Sequence, residues 1–235
     1  MTPPVLDVVV PVLWRPARLR PVAAAITAAT SSSHRLTFVA DADDLATREE
    51  LLAAGLRFLI APAVPRWGRA TWSSKANHAY RELEPRAAYL AIFGDDVKPA
   101  AGWDLRVLEV FASDPGAGVV GTNDLCNPRV MAGRHATHPV ISRAYVERHG
   151  GATADGVDPL FSEAYRHAYT DGELVHVAKA RRAFRPCLDA IVEHLHPQRG
   201  FESDRVYELG RSYLLTDRAT QKERLRRFDA ARASS

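Results

Sequence analysis

The segment from Val5 to Leu13 is an almost unbroken apolar run, most of it β-branched. A strand with one wet face would alternate apolar and polar residues. A run of this kind therefore fits a strand covered on both faces, as in a parallel sheet sandwiched between helices. The next segments agree. Leu19, Val22, Ile26 and Ala29 are spaced by three and four, predicting a helix with one apolar stripe and Pro21 near its start. Leu36 to Ala40 reads as a second strand ending on Asp41-Ala42-Asp43-Asp44. A helix over 45–54 stops at Gly55, and Leu56 to Ala61 reads as a third strand.

After a loop from Pro62 to Trp72, Ser73 or Ser74 is expected to cap a helix reaching Leu83. Ala87 to Phe93 is another buried strand, broken at Gly94-Asp95-Asp96. Trp103 to Phe111 reads as a helix and Gly118 to Gly121 as a short strand. Strands alternating with helices in this way imply an α/β domain with right-handed crossovers and a mostly parallel sheet. Beyond Gly121 the pattern loosens. Asn123 to His138 reads as loop and short strand, and Ser142 as the cap of a helix ending at Gly150-Gly151. Thr170 and Glu173 have the spacing of a capping box opening a helix to about Ala180. Ala190 to Leu195 reads as a last strand, and a basic helical tail begins near Ser203. There is no internal repeat.

The bulk numbers narrow the class. A chain of 235 residues, 46% apolar and 25% charged, can bury one core with a small appended lobe. No apolar run approaches the roughly 20 residues that cross a bilayer, so no stable membrane insertion is expected. The opening MTPPVLDVVVPV has no basic stretch ahead of its apolar run and does not read as a leader. Cys126 and Cys187 lie far apart without a partner motif, which argues for a reducing, cytoplasmic setting. The net charge is +3, with the cations concentrated between Arg211 and Arg232. That stretch fits a solvated helix face or a surface for an anion.

The chemistry-bearing residues fall at strand ends. Asp95 and Asp96 directly follow an apolar strand, where ligands of open parallel sheets bind. Adjacent carboxylates repel, and a hard divalent ion shared with a diphosphate relieves that repulsion. Lys75, near the start of its helix, opposes the macrodipole unless an anion sits there. His194 and His196, two apart on a strand, share a face. His135 and His138, with Arg134, lie in a loop, and Trp67 and Trp72 are placed to stack on a sugar or to anchor their loop.

This order of elements resembles the GT-A glycosyltransferases of the family-2 type, in a small bacterial or bacteriophage form. Val8-Val9-Val10-Pro11-Val12 looks like the family's first strand, and Gly102-Trp103-Asp104 like its helix start after a DXD variant. Gly94 stands where many members carry the first Asp of that triplet. The resemblance implies a GT-A (Rossmann-like), mostly parallel central sheet flanked by helices, a smaller acceptor-side region and a helical C-terminal tail. It places a donor site at Pro11, Asp41, Asp43, Lys75, Asn77 and Asp95, with the acids at 41 and 43 near the base and Asp95 near the ribose. It makes Asp96 and His194 the ligands of Mn²⁺ or Mg²⁺, with His196 in reserve. Thr170-Asp171-Gly172-Glu173 is similar to the family's acidic motif, which makes Asp171 the general base and Glu173 its understudy.

The expected function is transfer of a hexose or pentose from a UDP- or GDP-sugar to an acceptor hydroxyl, with inversion. The acceptor is open among lipid, glycan, protein and modified DNA. The expected organisation is one catalytic domain over 1–202, divided into a nucleotide-sugar half, 1–121, and an acceptor half, 122–202, with a basic tail over 203–235. A nucleotidyltransferase is a rival, but Trp14-Arg15-Pro16-Ala17-Arg18 lacks the glycines of its phosphate loop. A nucleic-acid-binding module using the tail is another, and it leaves the acids at successive strand ends unexplained.

Overall fold

The computed structural model describes residues 4–234. Residues 1–3, part of the segment read above as carrying no leader, lie outside the described residues. One eight-stranded sheet has the spatial order β3-β2-β1-β4-β7-β6-β8-β5. The strands are β1 (Leu6–Pro11), β2 (His34–Asp41), β3 (Phe58–Ala61), β4 (Tyr89–Ile92), β5 (Val97–Pro99), β6 (Val119–Asn123), β7 (Pro139–Ser142) and β8 (Phe184–His194). β1 pairs in parallel with β2 and β4, β2 with β3, and β6 with β8. β7 runs antiparallel to β4 and β6, and β5 antiparallel to the end of β8. The sheet is therefore mostly parallel, as expected.

The helices are α1 (Leu19–Ala29), α2 (Leu45–Ala53), α3 (Trp72–Glu82), α4 (Trp103–Ser113), α5 (Pro128–Met131), α6 (Arg143–His149), α7 (Thr170–Ala180) and α8 (Arg205–Ala233). Every residue of β1 is buried. Leu6, Val8 and Val10 pack on one face with Leu19, Val22 and Ile26 of α1 and Trp103 and Val107 of α4. Val9 faces the other layer, with Ala76 and Ala79 of α3, Tyr145 of α6 and Leu174 of α7. The unbroken apolar run thus divides between two cores by the two-residue period of a strand. Each fully buried aliphatic side chain contributes about 1.5–3 kcal/mol to that packing.

Several local expectations change. α3 is capped by Thr71, not Ser73 or Ser74. Thr71 and Ser74 exchange side-chain and backbone bonds in a capping box, and Trp72 becomes the first helical residue. The box expected from Thr170 and Glu173 does not form. Tyr169, at φ 65°, precedes α7 without a side-chain cap, and Thr170 instead accepts from Ser73 Oγ at 3.1 Å. Ser142 ends β7 and precedes α6 but makes no side-chain cap. Gly102-Trp103-Asp104 serves packing. Trp103 is buried against Phe93, and Asp104 accepts the backbone N–H groups of Ser31 and Ser32.

α8 is the expected helical tail, and it is docked. Its Asp204 cap accepts from the N–H groups of Val206 and Tyr207. Asp217, buried, accepts from the backbone N–H groups of Arg166, His167 and Ala168. Arg224 forks onto Glu173 of α7 at 2.7 and 2.9 Å and reaches Asp155 at 2.8 Å. Among the described residues, no helix is long and apolar enough to cross a membrane.

Candidate active site

A cavity of about 840 Å³ opens beyond the carboxyl ends of β1 and β4. Its size suits a ligand larger than a single sugar. Asp95 and Asp96 lie on its wall, both buried, immediately after β4. The chain then turns into β5, which zips antiparallel onto β8 with Val97 opposite His194. Leu195 N–H donates to the Asp96 carbonyl at 2.8 Å. This register brings His194 Nε2 to 3.3 Å from Asp96 Oδ1. His196 is one step further. Its Nδ1 accepts from Gln198 N–H at the turn following β8, and its ring still borders the cavity.

The two carboxylates are not left to repel. Arg15, on the loop after β1, donates from Nη1 to Asp95 at 2.6 Å and to Asp96 at 3.4 Å. The same guanidinium holds Asp204 of the α8 cap at 2.7 and 2.9 Å. Tyr207 on the first turn of α8 donates its hydroxyl to Asp96 Oδ2. Burial and the neighbouring Asp96 charge push Asp95 upward, against the pull of Arg15. Burial also disfavours ionised Asp96, but His194, Tyr207 and Arg15 outweigh it and hold that carboxyl well below its usual range. Asp96 is thus the more readily ionised member of the pair. Nothing in the local sequence marked Tyr207 or Asp204 as part of this cluster. Arg15 was visible only as a basic residue in a glycine-free loop.

Lys75 is buried in α3, not reaching solvent. Its ammonium stands 3.0 Å from Asp41 Oδ1 and donates to the Val12 carbonyl at 2.6 Å. Burial lowers its pKa, with Asp41 opposing. Arg69 adds a second cation to Asp41, at 3.0 Å. Pro11 and Lys75 line the cavity, whereas Asp41 lies behind them in the wall. Asp43 is exposed and away from the cavity. Its neighbour Asp44 is the buried acid of that turn, capping α2 and accepting from Trp14 N–H. Asn77 is buried and off the cavity. Its amide accepts from the N–H groups of Leu160 and Phe161 and donates to the Phe161 carbonyl and Glu163. It pins the 160–163 loop.

Asp171, in the first turn of α7, borders the same cavity and is about a quarter exposed. Its Oδ2 lies 3.0 Å from His135 Nε2, and its Oδ1 accepts from Gly172 N–H. Burial would raise its pKa, but the His135 hydrogen bond and charge outweigh that and lower it. Glu173 is different. It is buried off the cavity, with its oxygens taken by Ala154 N–H, Tyr165 and Arg224. Trp67 and Trp72 both line the cavity. The Trp67 indole donates to the Glu163 carbonyl, and Trp72 packs edge-on against Phe161.

No protein-family model matches the chain, and no curated protein matches its sequence. Solved structures do match. A mannosyltransferase from Pyrobaculum calidifontis in complex with GDP-Man and Mn²⁺ superposes at a TM-score of 0.63 and 17% identity, over 94% of this chain. This chain spans 65% of that protein's length. Glucosyl-3-phosphoglycerate synthase from Mycobacterium tuberculosis in complex with phosphoglyceric acid gives 0.62 at 13% identity, covering 94% of this chain and 80% of that one. The fold is GT-A. At such identities the likeness is one of fold, and the chemistry of the site rests on its own residues.

The acidic element of this GT-A chain is not a DXD triplet. A Cβ at Gly94 would come within 2.4 Å of Asp96 Oδ1, so position 94 has no room for a side chain while that carboxylate keeps its place. Asp96 Oδ1 and His194 Nε2 are within chelating reach of one another. His138, 3% exposed and on the cavity wall, has neither ring nitrogen hydrogen-bonded, and its ring lies 5.0 Å from that of His194. Burial pushes His138 down to about 3, keeping the ring neutral. No group of three or more His, Cys, Asp or Glu forms a metal cage among the described residues. The set fits a hard ion that takes one or two protein ligands and completes its shell with phosphate and water.

Proposed function

We propose that this chain is a glycosyltransferase that moves a hexose or pentose from a UDP- or GDP-sugar to an acceptor hydroxyl, with inversion. One observation carries the reading. A single cavity at the carboxyl edge of a GT-A sheet is bordered by Asp95, Asp96, His194 and Lys75 and also by Asp171, a carboxylate held ionised by His135. The mannosyltransferase with GDP-Man and Mn²⁺ supports the donor class by analogy of fold.

In this reading Pro11 and Lys75 receive the nucleotide end of the donor, and Asp95 meets the ribose. Asp41 acts from behind, setting the charge and position of Lys75. Asp43 is the weakest member of the expected donor set, because it faces solvent. Asn77 positions the 160–163 loop and does not touch the donor. Asp96 and His194 would hold Mn²⁺ or Mg²⁺, which supplies Lewis-acid neutralisation of the departing diphosphate. Lys75 and Arg15 add cations on the same side. Asp171 takes the proton of the acceptor hydroxyl as its oxygen attacks the anomeric carbon from the face opposite the leaving nucleotide. His135, at 3.0 Å, keeps that carboxylate oriented. The donor half is residues 1–121 and the acceptor half 122–202, with α8 closing one wall. The unpaired Cys126 and Cys187 support a cytoplasmic setting.

The test is a thermal-shift panel of UDP- and GDP-sugars with and without Mn²⁺, since a ligand of the folded state raises Tm. A shift requiring both nucleotide and Mn²⁺ is expected, and Asp96→Asn should remove its metal-dependent part. No shift with any nucleotide sugar, or an unchanged shift in Asp96→Asn, overturns the reading.

A further inference from the structure

The cations around the cavity fall into two groups. Arg15 is matched by Asp95, Asp96 and Asp204, and Arg69 and Lys75 share Asp41. Arg66 and Arg166 have no carboxylate partner within 4.0 Å among the described residues, yet they are drawn together. Both guanidinium carbons lie within 5 Å of the Trp67 ring centre, at 4.7 Å for Arg66 and 4.4 Å for Arg166, and Arg166 also lies 5.0 Å from the Tyr213 ring. All four side chains border the cavity. Arg129, likewise unpaired, stands on α5 without an aromatic support.

This cluster is assembled from three separate parts of the chain, each held in place. The Trp67 indole and the Arg66 guanidinium both donate to the Glu163 carbonyl, in the loop that Asn77 pins. The backbone at Arg166 is held by Asp217 of α8, which also carries Tyr213. Stacking engages the faces of a guanidinium and leaves its N–H edge free. No protein acceptor takes the side-chain N–H groups of Arg166 among the described residues. Two like charges fixed on one indole, with the donor edge of Arg166 free and that of Arg66 only partly used by the Glu163 carbonyl, suit an oxyanion that bridges them.

We propose that Arg66, Trp67, Arg166 and Tyr213 form an oxyanion subsite that holds the acceptor by a phosphate or carboxylate group. The proposal rests on the transferase reading for the word acceptor and names its chemical class. Arg166 precedes Asp171 by five residues in the segment leading into α7, and both border one cavity. A substrate tethered there by its anionic end can present a hydroxyl to Asp171. The acids at Asp95 and Asp96 are already matched by Arg15, which reduces their repulsion of an anionic acceptor in the same cavity.

The probes are glycerol 3-phosphate, glycerate and glycerol, titrated calorimetrically into the full chain at fixed ionic strength, with and without saturating UDP or GDP plus Mn²⁺. Glycerol 3-phosphate, glycerate or both should bind saturably, glycerol should not, and binding should persist with nucleotide present. Arg166→Gln should weaken it tenfold or more, the scale of losing a charge-assisted contact. If Arg166→Gln loses its cooperative unfolding transition, Arg66→Gln, an exposed position, reads the same loss. Competition between the anion and the nucleotide would assign the clamp to the donor diphosphate and overturn the acceptor assignment. Absence of saturable anion binding, or anion binding unaffected in both variants, would overturn it as well. Loss of nucleotide binding with retained, Arg166-dependent anion binding would instead overturn the donor reading and leave the oxyanion site standing.

Discussion

Tyr207 donates its hydroxyl to Asp96, so the first turn of the C-terminal helix occupies a lone pair of the carboxylate best placed to meet a cation. Arg15 completes the arrangement by holding Asp95, Asp96 and the helix cap Asp204 at once. A cation held at Asp96 Oδ1 would therefore have to share one carboxylate with helix docking, which draws on Oδ2.

Replacing Tyr207 with Phe removes that competitor and leaves most of the ring packing in place. Mn²⁺ affinity in the presence of UDP or GDP should rise roughly three- to tenfold, the scale of one hydrogen bond to a charged group. Calorimetry or Mn²⁺ paramagnetic resonance reads it. Weaker Mn²⁺ binding in Tyr207→Phe would show that the phenol supports the metal instead.

Asp171→Asn keeps the shape of the side chain and removes its basicity. Donor binding should be retained while transfer falls on the order of 10²- to 10⁴-fold. Because His135 lowers the pKa of Asp171, the acid limb of the rate profile should fall below the usual carboxylate value of about 3.9. Undiminished turnover in Asp171→Asn would remove it as the base.

Asn77→Ala leaves the N–H groups of Leu160 and Phe161 without their buried acceptor. A loss of about 3 kcal/mol is expected for two such groups. For a chain of this size that is a fall in Tm of roughly 6–12 °C. A Tm within 2 °C or so of the parent would mean that the 160–163 loop is held by other contacts.

The Arg224 junction gives α8 an acid limit. Burial works against ionised Asp155, but Arg224 outweighs it and lowers the pKa to about 2, below the value of about 3.9 in an unfolded chain. A depressed carboxylate contributes stability that is fully present above the unfolded value and is lost as pH falls through the folded one. Between about pH 4 and pH 2, amide protection along α8 should decline. In Arg224→Met it should be low already at pH 5 and change less over that window. Identical pH profiles for the two proteins would rule out this junction as the source.

The parts that the sequence made legible were those with a strong local signature. β1 and β4 are apolar on both faces, which only a covered strand tolerates. The acids at Asp95 and Asp96 followed such a strand directly, so their place at the sheet's edge could be inferred. β5 and β7, at three and four residues, are too short to display a period. β8 begins at Phe184, six residues before the expected start, because its first half buries only Phe184, Cys187 and Ala190, three apart and not the two of a regular strand, and its pairing with β6 is irregular after Thr122. Thr170 and Glu173 had the right spacing for a capping box, but Glu173 finds a better partner in Arg224, far along the chain. The Arg15–Asp96–Tyr207 cluster joins the start of the chain to its last helix, and no pattern along the sequence encodes a meeting of that kind.

The chamber has one wall that arrives late. Tyr207, Leu209, Tyr213 and Gln221 all come from α8, so during synthesis the parallel sheet can assemble while its ligand-binding side still gapes. Until that helix docks, Asp96 has lost one of its neutralising neighbours and Arg166 its second aromatic face. Competence for binding thus depends on the docking of that helix, which supplies a wall that the sheet alone does not make.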